Sequence, residues 1–160
     1  MKGCVFAGTF DPISKGHEYV VNKCLEIFDK VVIAVGVNVN KKPMFSLEQR
    51  IDLIKAVFDG DDRVEVKSFD GMLVDFMREN NLAFTVRGIR DVKDYEYENK
   101  MAQYNVDLYP EITSVFIPTP ASLGYVSSSG IRNVIDLKGD FNPFVPKKAL
   151  PLLKEIIDKK

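Results

Sequence analysis

The first 36 residues narrow the choice of fold more than any other part of the chain. Cys4-Val5-Phe6-Ala7 is apolar on both faces, as a strand covered on both sides must be. It runs into Gly8-Thr9-Phe10-Asp11-Pro12-Ile13-Ser14-Lys15-Gly16-His17. From Tyr19 to Phe28, Val20, Val21, Cys24, Leu25 and Phe28 fall on one side of a helix, with Asn22, Lys23 and Glu26 on the other. Val31-Val32-Ile33-Ala34-Val35 is a second buried, β-branched strand. Strand, helix and strand at this spacing form a βαβ unit, which requires parallel strands and a right-handed crossover.

The alternation then continues. Ser46-Leu47-Glu48-Gln49 has the form of a capping box, and Leu47, Ile51, Ile54 and Phe58 line the helix behind it. Val64 and Val66 alternate with polar neighbours, as in a strand nearer the sheet's edge, and a helix is expected from Gly71 onward. Ala83-Phe84-Thr85-Val86 is a fourth strand, Asp91 to Asp107 an acidic and aromatic helical segment, and Thr113 to Ile117 a fifth strand. In the tail, Pro146 and Pro151 sit where a short last helix starts or restarts. Such a chain is an α/β protein: residues 1–160 form one domain, a doubly wound, Rossmann-like, five-stranded parallel sheet in the order 3-2-1-4-5, with C-terminal helices.

Composition removes several classes of function. With 22 Lys and Arg against 23 Asp and Glu there is no general basic surface for nucleic acid. No run approaches the ~18 apolar residues that span a membrane, and the N-terminus has no long apolar signal, so a cytoplasmic location is expected. Cys4 and Cys24 read as buried, reduced thiols; one histidine and two separated cysteines do not make a zinc site.

The polar residues gather where a doubly wound sheet binds ligands, at the carboxyl ends of its strands and at the switch point between strands one and four. Gly8 and Gly16 allow close backbone approach, and the helix start at Gly16-His17 offers free N–H groups suited to phosphate. His17 is the only histidine. Lys41 and Lys42 lie in a polar loop, Asn38 to Pro43, after strand two. Arg87-Gly88-Ile89-Arg90 follows strand four, with two guanidinium forks about a glycine expected to admit a phosphate. Asp94 and Glu98 share a helix face, and Ser127-Ser128-Ser129 opens the helix after strand five.

Gly8-Thr9-Phe10-Asp11-Pro12 with Ser14-Lys15-Gly16-His17 resembles the nucleotidylyltransferase signature, Thr or His, any residue, Gly, His, with serine in the first place. Tyr125 to Arg132 resembles the second signature, Ile-Ser-Ser-Ser or Ile-Ser-Ser-Thr before a basic residue, with Val126 for isoleucine. Lys41-Lys42-Pro43-Met44-Phe45 and Arg87-Gly88-Ile89-Arg90 extend the match, over nearly the whole chain, to the bacterial phosphopantetheine adenylyltransferase family.

That resemblance implies reversible transfer of AMP from ATP to 4′-phosphopantetheine, giving dephospho-coenzyme A and pyrophosphate, with Mg²⁺ accompanying ATP and a homohexameric assembly. It implies catalytic roles for His17, Thr9, Lys41 and Arg90. ATP contacts would come from Thr9, Phe10, His17 and Glu98, from Gly88, Ile89 and Arg90, and from Leu123, Gly124, Tyr125, Val126, Ser127, Ser128 and Ser129. Thr9, Lys41, Leu73 and Arg87 would meet phosphopantetheine. Leu123 stands where some members have a large aromatic, so base stacking is not expected there. A different acceptor, such as nicotinamide mononucleotide, is disfavoured by the Lys41–Phe45 loop and the Arg87–Arg90 set. A catalytically inert ATP or coenzyme A sensor is disfavoured by the intact Thr9, His17, Arg87 and Ser127–Ser129.

Overall fold

The computed structural model describes residues 1–160. Its strands are β1 (Gly3–Gly8), β2 (Lys30–Val37), β3 (Val64–Asp70), β4 (Phe84–Ile89) and β5 (Thr113–Pro118). Its helices are α1 (Lys15–Ile27), α2 (Leu47–Val57), α3 (Leu73–Glu79), α4 (Val92–Leu108), α5 (Ser128–Asp136) and α6 (Leu150–Asp158). The strands form one sheet in the order β3-β2-β1-β4-β5, every neighbour parallel, as the alternating pattern predicts. β1 is central: Phe6 pairs with Ile33 on one side and Val86 on the other.

The period of two divides β1 between the two cores. Cys4 and Phe6 join Val20, Val21, Cys24, Leu53, Ile131 and Leu153 under α1, α2, α5 and α6. Val5 and Ala7 join Val32, Ala34, Val74, Phe76 and Met77 under α3. Both faces are therefore covered, which is why these strands read as continuous apolar runs. α4 is different: none of its residues is buried, and Tyr97, Met101, Tyr104 and Leu108 are exposed.

Helix starts follow local chemistry. α2 begins with the expected capping box, Ser46 Oγ accepting from Gln49 N at 3.1 Å and Gln49 Oε1 accepting from Ser46 N at 3.0 Å. α1 begins at Lys15, a turn before the apolar periodicity becomes visible, because Ser14 caps it. α3 begins at Leu73 rather than Gly71: Gly71 has φ +83°, a left-handed residue that cannot open a right-handed helix. At the C-terminus, Pro146 precedes a short 3₁₀ turn, while Pro151 occupies the first turn of α6, where its missing N–H costs no bond.

Candidate active site

A crevice of about 390 Å³ opens at the carboxyl ends of β1 and β4, the switch point of the sheet. Its floor is the loop from β1 to α1. There Thr9 is exposed, Phe10 is buried with φ +51°, and the Asp11–Pro12 peptide is cis. The buried Asp11 carboxylate accepts from the backbone N–H groups of Met44 and Phe45, each at 2.9 Å, so it ties this loop to the foot of the Lys41 loop.

His17 is oriented by its own helix cap. Ser14 Oγ accepts from His17 N at 3.3 Å, while the Ser14 backbone N–H donates to His17 Nδ1 at 3.0 Å. With Nδ1 an acceptor, the neutral ring carries its proton on Nε2. Burial, reinforced by the charges of Arg87 and Arg90, pushes the His17 pKa down to about 4. Near neutral pH the side chain is therefore an uncharged N–H donor beside the N-terminal N–H groups of α1. The edge-on Phe10 ring, 4.8 Å away between centroids, holds it in place.

The two arginines after β4 arrive already paired. Arg87 Nε and Nη2 donate to the Glu98 carboxylate at 3.1 and 2.9 Å, and Arg87 Nη1 donates to the Ala7 carbonyl at 2.7 Å. Arg90 Nε and its backbone N–H both donate to Asp94 Oδ2 at 3.0 Å. Burial opposes ionisation of Asp94, but the hydrogen bonds and charge of Arg90 outweigh it and hold the carboxyl below the ordinary range. The forks are thus pre-oriented rather than loose, and their positive charge is partly offset.

A Cβ at Gly88 would lie 2.9 Å from Val20 Cγ2, so α1 packs closely against this glycine where it borders the crevice. The three serines divide their work. Ser127 caps α5 by accepting from Gly130 N at 3.0 Å, and Ser128 Oγ donates to the Pro12 carbonyl at 2.7 Å. Ser129 lines the crevice without either duty. Arg132 Nη1 donates to the Asp11 carbonyl at 2.8 Å, so Ser128 and Arg132 together dock α5 against the β1–α1 loop.

The crevice brings together Thr9, Phe10, His17, Arg87, Gly88, Arg90, Glu98, Leu123, Val126 and Ser127–Ser129. It does not include Ile89, Gly124 or Tyr125; Tyr125 is exposed, with its ring edge-on to Phe144 at 6.3 Å. Lys41 is exposed on its loop outside the crevice. Leu73 lines a second cavity of about 310 Å³ between α3 and α4, together with Thr85, Met101, Asn105 and Phe116. Arg87 and Glu98 line both cavities.

Sequence reasoning placed Asp11 and Ser14 in the first signature without foreseeing their contacts, and it gave Arg50 no role. Ser14 carried a usable signal, since it precedes His17 by the same three residues that separate Ser46 from Gln49. Asp11 and Arg50 make contacts 33 and 41 residues away in sequence, which no local pattern reports.

Comparison with known proteins agrees with this geometry. A family model described as cytidylyltransferase-like matches residues 5–134. Phosphopantetheine adenylyltransferase of Clostridium perfringens strain SM101 is 43% identical over 157 residues, covering 98% of this chain and 96% of that protein. The chain belongs to the phosphopantetheine adenylyltransferase family. The enzyme of the same name from Clostridium botulinum strain 657 is 40% identical over 160 residues, covering all of this chain and 98% of its own.

Among solved structures, a putative nicotinate-nucleotide adenylyltransferase from Vibrio parahaemolyticus superposes with a TM-score of 0.70 at 20% identity, covering 97% of this chain and 93% of that one. A bifunctional NMN adenylyltransferase/ADP ribose pyrophosphatase from Francisella tularensis gives 0.73 at 19% identity; this chain spans 49% of its length. At such identities these two structures speak for the fold alone.

Proposed function

We propose that the crevice transfers the adenylyl group of ATP to 4′-phosphopantetheine, releasing pyrophosphate and leaving dephospho-coenzyme A. The observation that carries this is His17: a neutral ring with its proton on Nε2, at a helix N-terminus, facing two arginines across the switch point. An oxygen of the acceptor phosphate attacks the α-phosphorus in line. The bond from that phosphorus to the bridging oxygen breaks, and its electron pair leaves with pyrophosphate. The acceptor oxygen is already anionic, so no general base is required. Catalysis is then a matter of positioning and of stabilising charge on the α-phosphate.

In this reading Thr9 and the Nε2–H of His17 meet the migrating phosphoryl group, and Arg90 neutralises charge on ATP. Ser129 and the N-terminus of α5 hold the ATP phosphates, with Phe10, Gly88, Ile89, Glu98 and the segment from Leu123 to Ser128 framing the nucleotide. Arg87 and Lys41 take the acceptor phosphate, Lys41 as a point charge on a long stem, and Leu73 borders the cavity for the pantetheine arm. The carboxylates of the crevice wall are engaged by arginine or backbone N–H groups, and no group of three His, Cys, Asp or Glu side chains is placed to hold a metal. Mg²⁺ fits this chemistry as a partner of the ATP phosphates, screening their charge, rather than as a resident of the protein.

Residues 1–160 act as one domain in this account. No helix is long and apolar enough to cross a membrane, and two buried free thiols suit the reducing cytoplasm. The exposed stripe Tyr97, Met101, Tyr104 and Leu108 on α4 follows the 4-3-4 spacing of a packed helix face. It supports assembly with further copies, and the resemblance to the family makes a homohexamer the assembly proposed.

The direct test is pyrophosphate release from ATP and Mg²⁺ with 4′-phosphopantetheine, pantetheine or nicotinamide mononucleotide as acceptor. Turnover is expected with the first alone. Comparable turnover with unphosphorylated pantetheine would remove the phosphate-attack mechanism, and preference for the mononucleotide would change the assigned acceptor.

A further inference from the structure

Arg50, in the first turn of α2, is 4% exposed, and none of the ion pairs includes it. Its Nε has no partner. Its hydrogen bonds run from one nitrogen: Nη1 donates to the Thr9 carbonyl at 2.8 Å and to the Gly36 carbonyl at 3.2 Å. Burial lowers the guanidinium's pKa, with the charge of Asp11 acting the other way. A cation taken out of water without a close counter-ion is a net cost that two neutral carbonyls do not repay, and an apolar residue of similar length would fill the same space. Packing alone gives no reason for an arginine here.

What Arg50 grips does give one. Gly36 belongs to β2 and Thr9 lies just beyond β1, so a single nitrogen ties two strand ends at the edge where the crevice opens. The next residue, Phe10, has φ +51°, a region that bulky L-residues disfavour and that persists only when its surroundings fix it. On one side the fixing is done by packing: the Phe10 ring is 2% exposed, 5.5 Å from Phe6 and 4.8 Å from His17 between centroids. On the other side, Arg50 holds the Thr9 carbonyl.

We infer that Arg50 is a positioning residue for adenylyl transfer: by bridging the Thr9 and Gly36 carbonyls it fixes Thr9 opposite His17, without touching either substrate. The inference rests on the adenylyl-transfer reading of the crevice. A displaced Thr9 would leave ground-state ATP binding, shared among many groups, almost unchanged, and would slow the step in which Thr9 and His17 must act together.

The test compares the unchanged protein with Arg50→Met and Arg50→Lys by steady-state pyrophosphate release, ATP titration calorimetry and thermal melting. Arg50→Met sheds a buried charge but leaves the Thr9 and Gly36 carbonyls without that donor, so a modest fall in melting temperature is expected. The folded variant is expected to keep both KM values and the ATP Kd within about threefold and to lose kcat by about 100-fold. Lysine keeps the charge and reaches one carbonyl, so Arg50→Lys should recover part of that loss, settling about tenfold below the unchanged protein. A purely structural role predicts lowered melting and near-normal kcat per folded molecule, and that result overturns the inference. So does a rise in KM with kcat retained. If Arg50→Met does not fold, Arg50→Lys decides: kcat within twofold of the unchanged protein overturns the inference, and a tenfold loss at normal KM upholds it. Failure of both variants to fold would make Arg50 a stability residue and also overturn it. No turnover in the unchanged protein would instead sink the adenylyl-transfer reading, and the inference with it.

Discussion

His17 illustrates how a single side chain is prepared before substrate arrives. The Ser14 N–H fixes its tautomer, Phe10 fixes its plane, and burial with two nearby arginines keeps it uncharged. Its replacement by alanine should therefore spare the ATP Kd to within about threefold and cost about 10²–10³ in single-turnover rate, the usual penalty for losing one preorganised donor. Near-normal turnover in a folded His17→Ala protein would remove the residue from the mechanism. The same burial sets a pH signature. In the unfolded chain His17 titrates near 6.5, and in the folded chain near 4. Between those values only the unfolded state binds the proton, so stability falls as pH drops from about 6.5 to about 4, by up to about 3 kcal/mol. Above pH 6.5 the contribution is flat. Denaturant melts of the unchanged protein and of His17→Gln across pH 4–7 should differ in slope over that window; parallel slopes would show that the imidazole is not held neutral.

At the scale of the element, the start of α5 separates capping, docking and binding among three adjacent serines. Ser128 supplies the hydrogen bond that docks the helix on Pro12, so Ser128→Ala should lower stability by about 1–3 kcal/mol through the orphaned carbonyl. Ser129→Ala should melt normally and weaken ATP by about 1.5–3 kcal/mol if its hydroxyl meets a phosphate. Thermal melts and calorimetry on the two variants check both, and equal effects would erase the division of labour. The sequence places these serines at a helix start, because caps are local signals, but not the Ser128–Pro12 bond, which spans 116 residues. The same contrast runs through the chain. The parallel, doubly wound sheet was legible because strands and helices alternate and Cys4–Ala7 and Val31–Val35 are apolar on both faces, and the α2 cap because Ser46 and Gln49 are a common pair. The α1 cap was missed because histidine takes the place usually held by Glu or Gln. Arg50 was missed because a polar residue in an amphipathic helix reads as solvent-facing; only the tertiary fold buries it.

At the scale of the whole molecule, α4 lies outside the two cores. A 17-residue helix with no buried residue and an exposed apolar stripe presents the kind of surface on which an interaction site is built. If the chain assembles as proposed, Tyr104→Arg with Leu108→Glu is expected to lower the mass measured by light scattering below that of the unchanged protein while leaving its melting cooperative; an unchanged mass would move the contact elsewhere. α4 also contributes Glu98, whose grip on Arg87 stands between the crevice and the cavity beside Leu73. Arg87 and Glu98 make a party wall for the two cavities, so a molecule that displaced that ion pair from one side would alter what its neighbour meets on the other. Occupancies so joined obey reciprocity: whatever factor ATP imposes on the affinity for the acceptor, the acceptor must impose on the affinity for ATP. Glu98→Gln, which weakens the wall but leaves it standing, should bring that common factor closer to one in ATP titrations run with and without the acceptor; an unchanged factor would show that the ion pair carries none of the coupling.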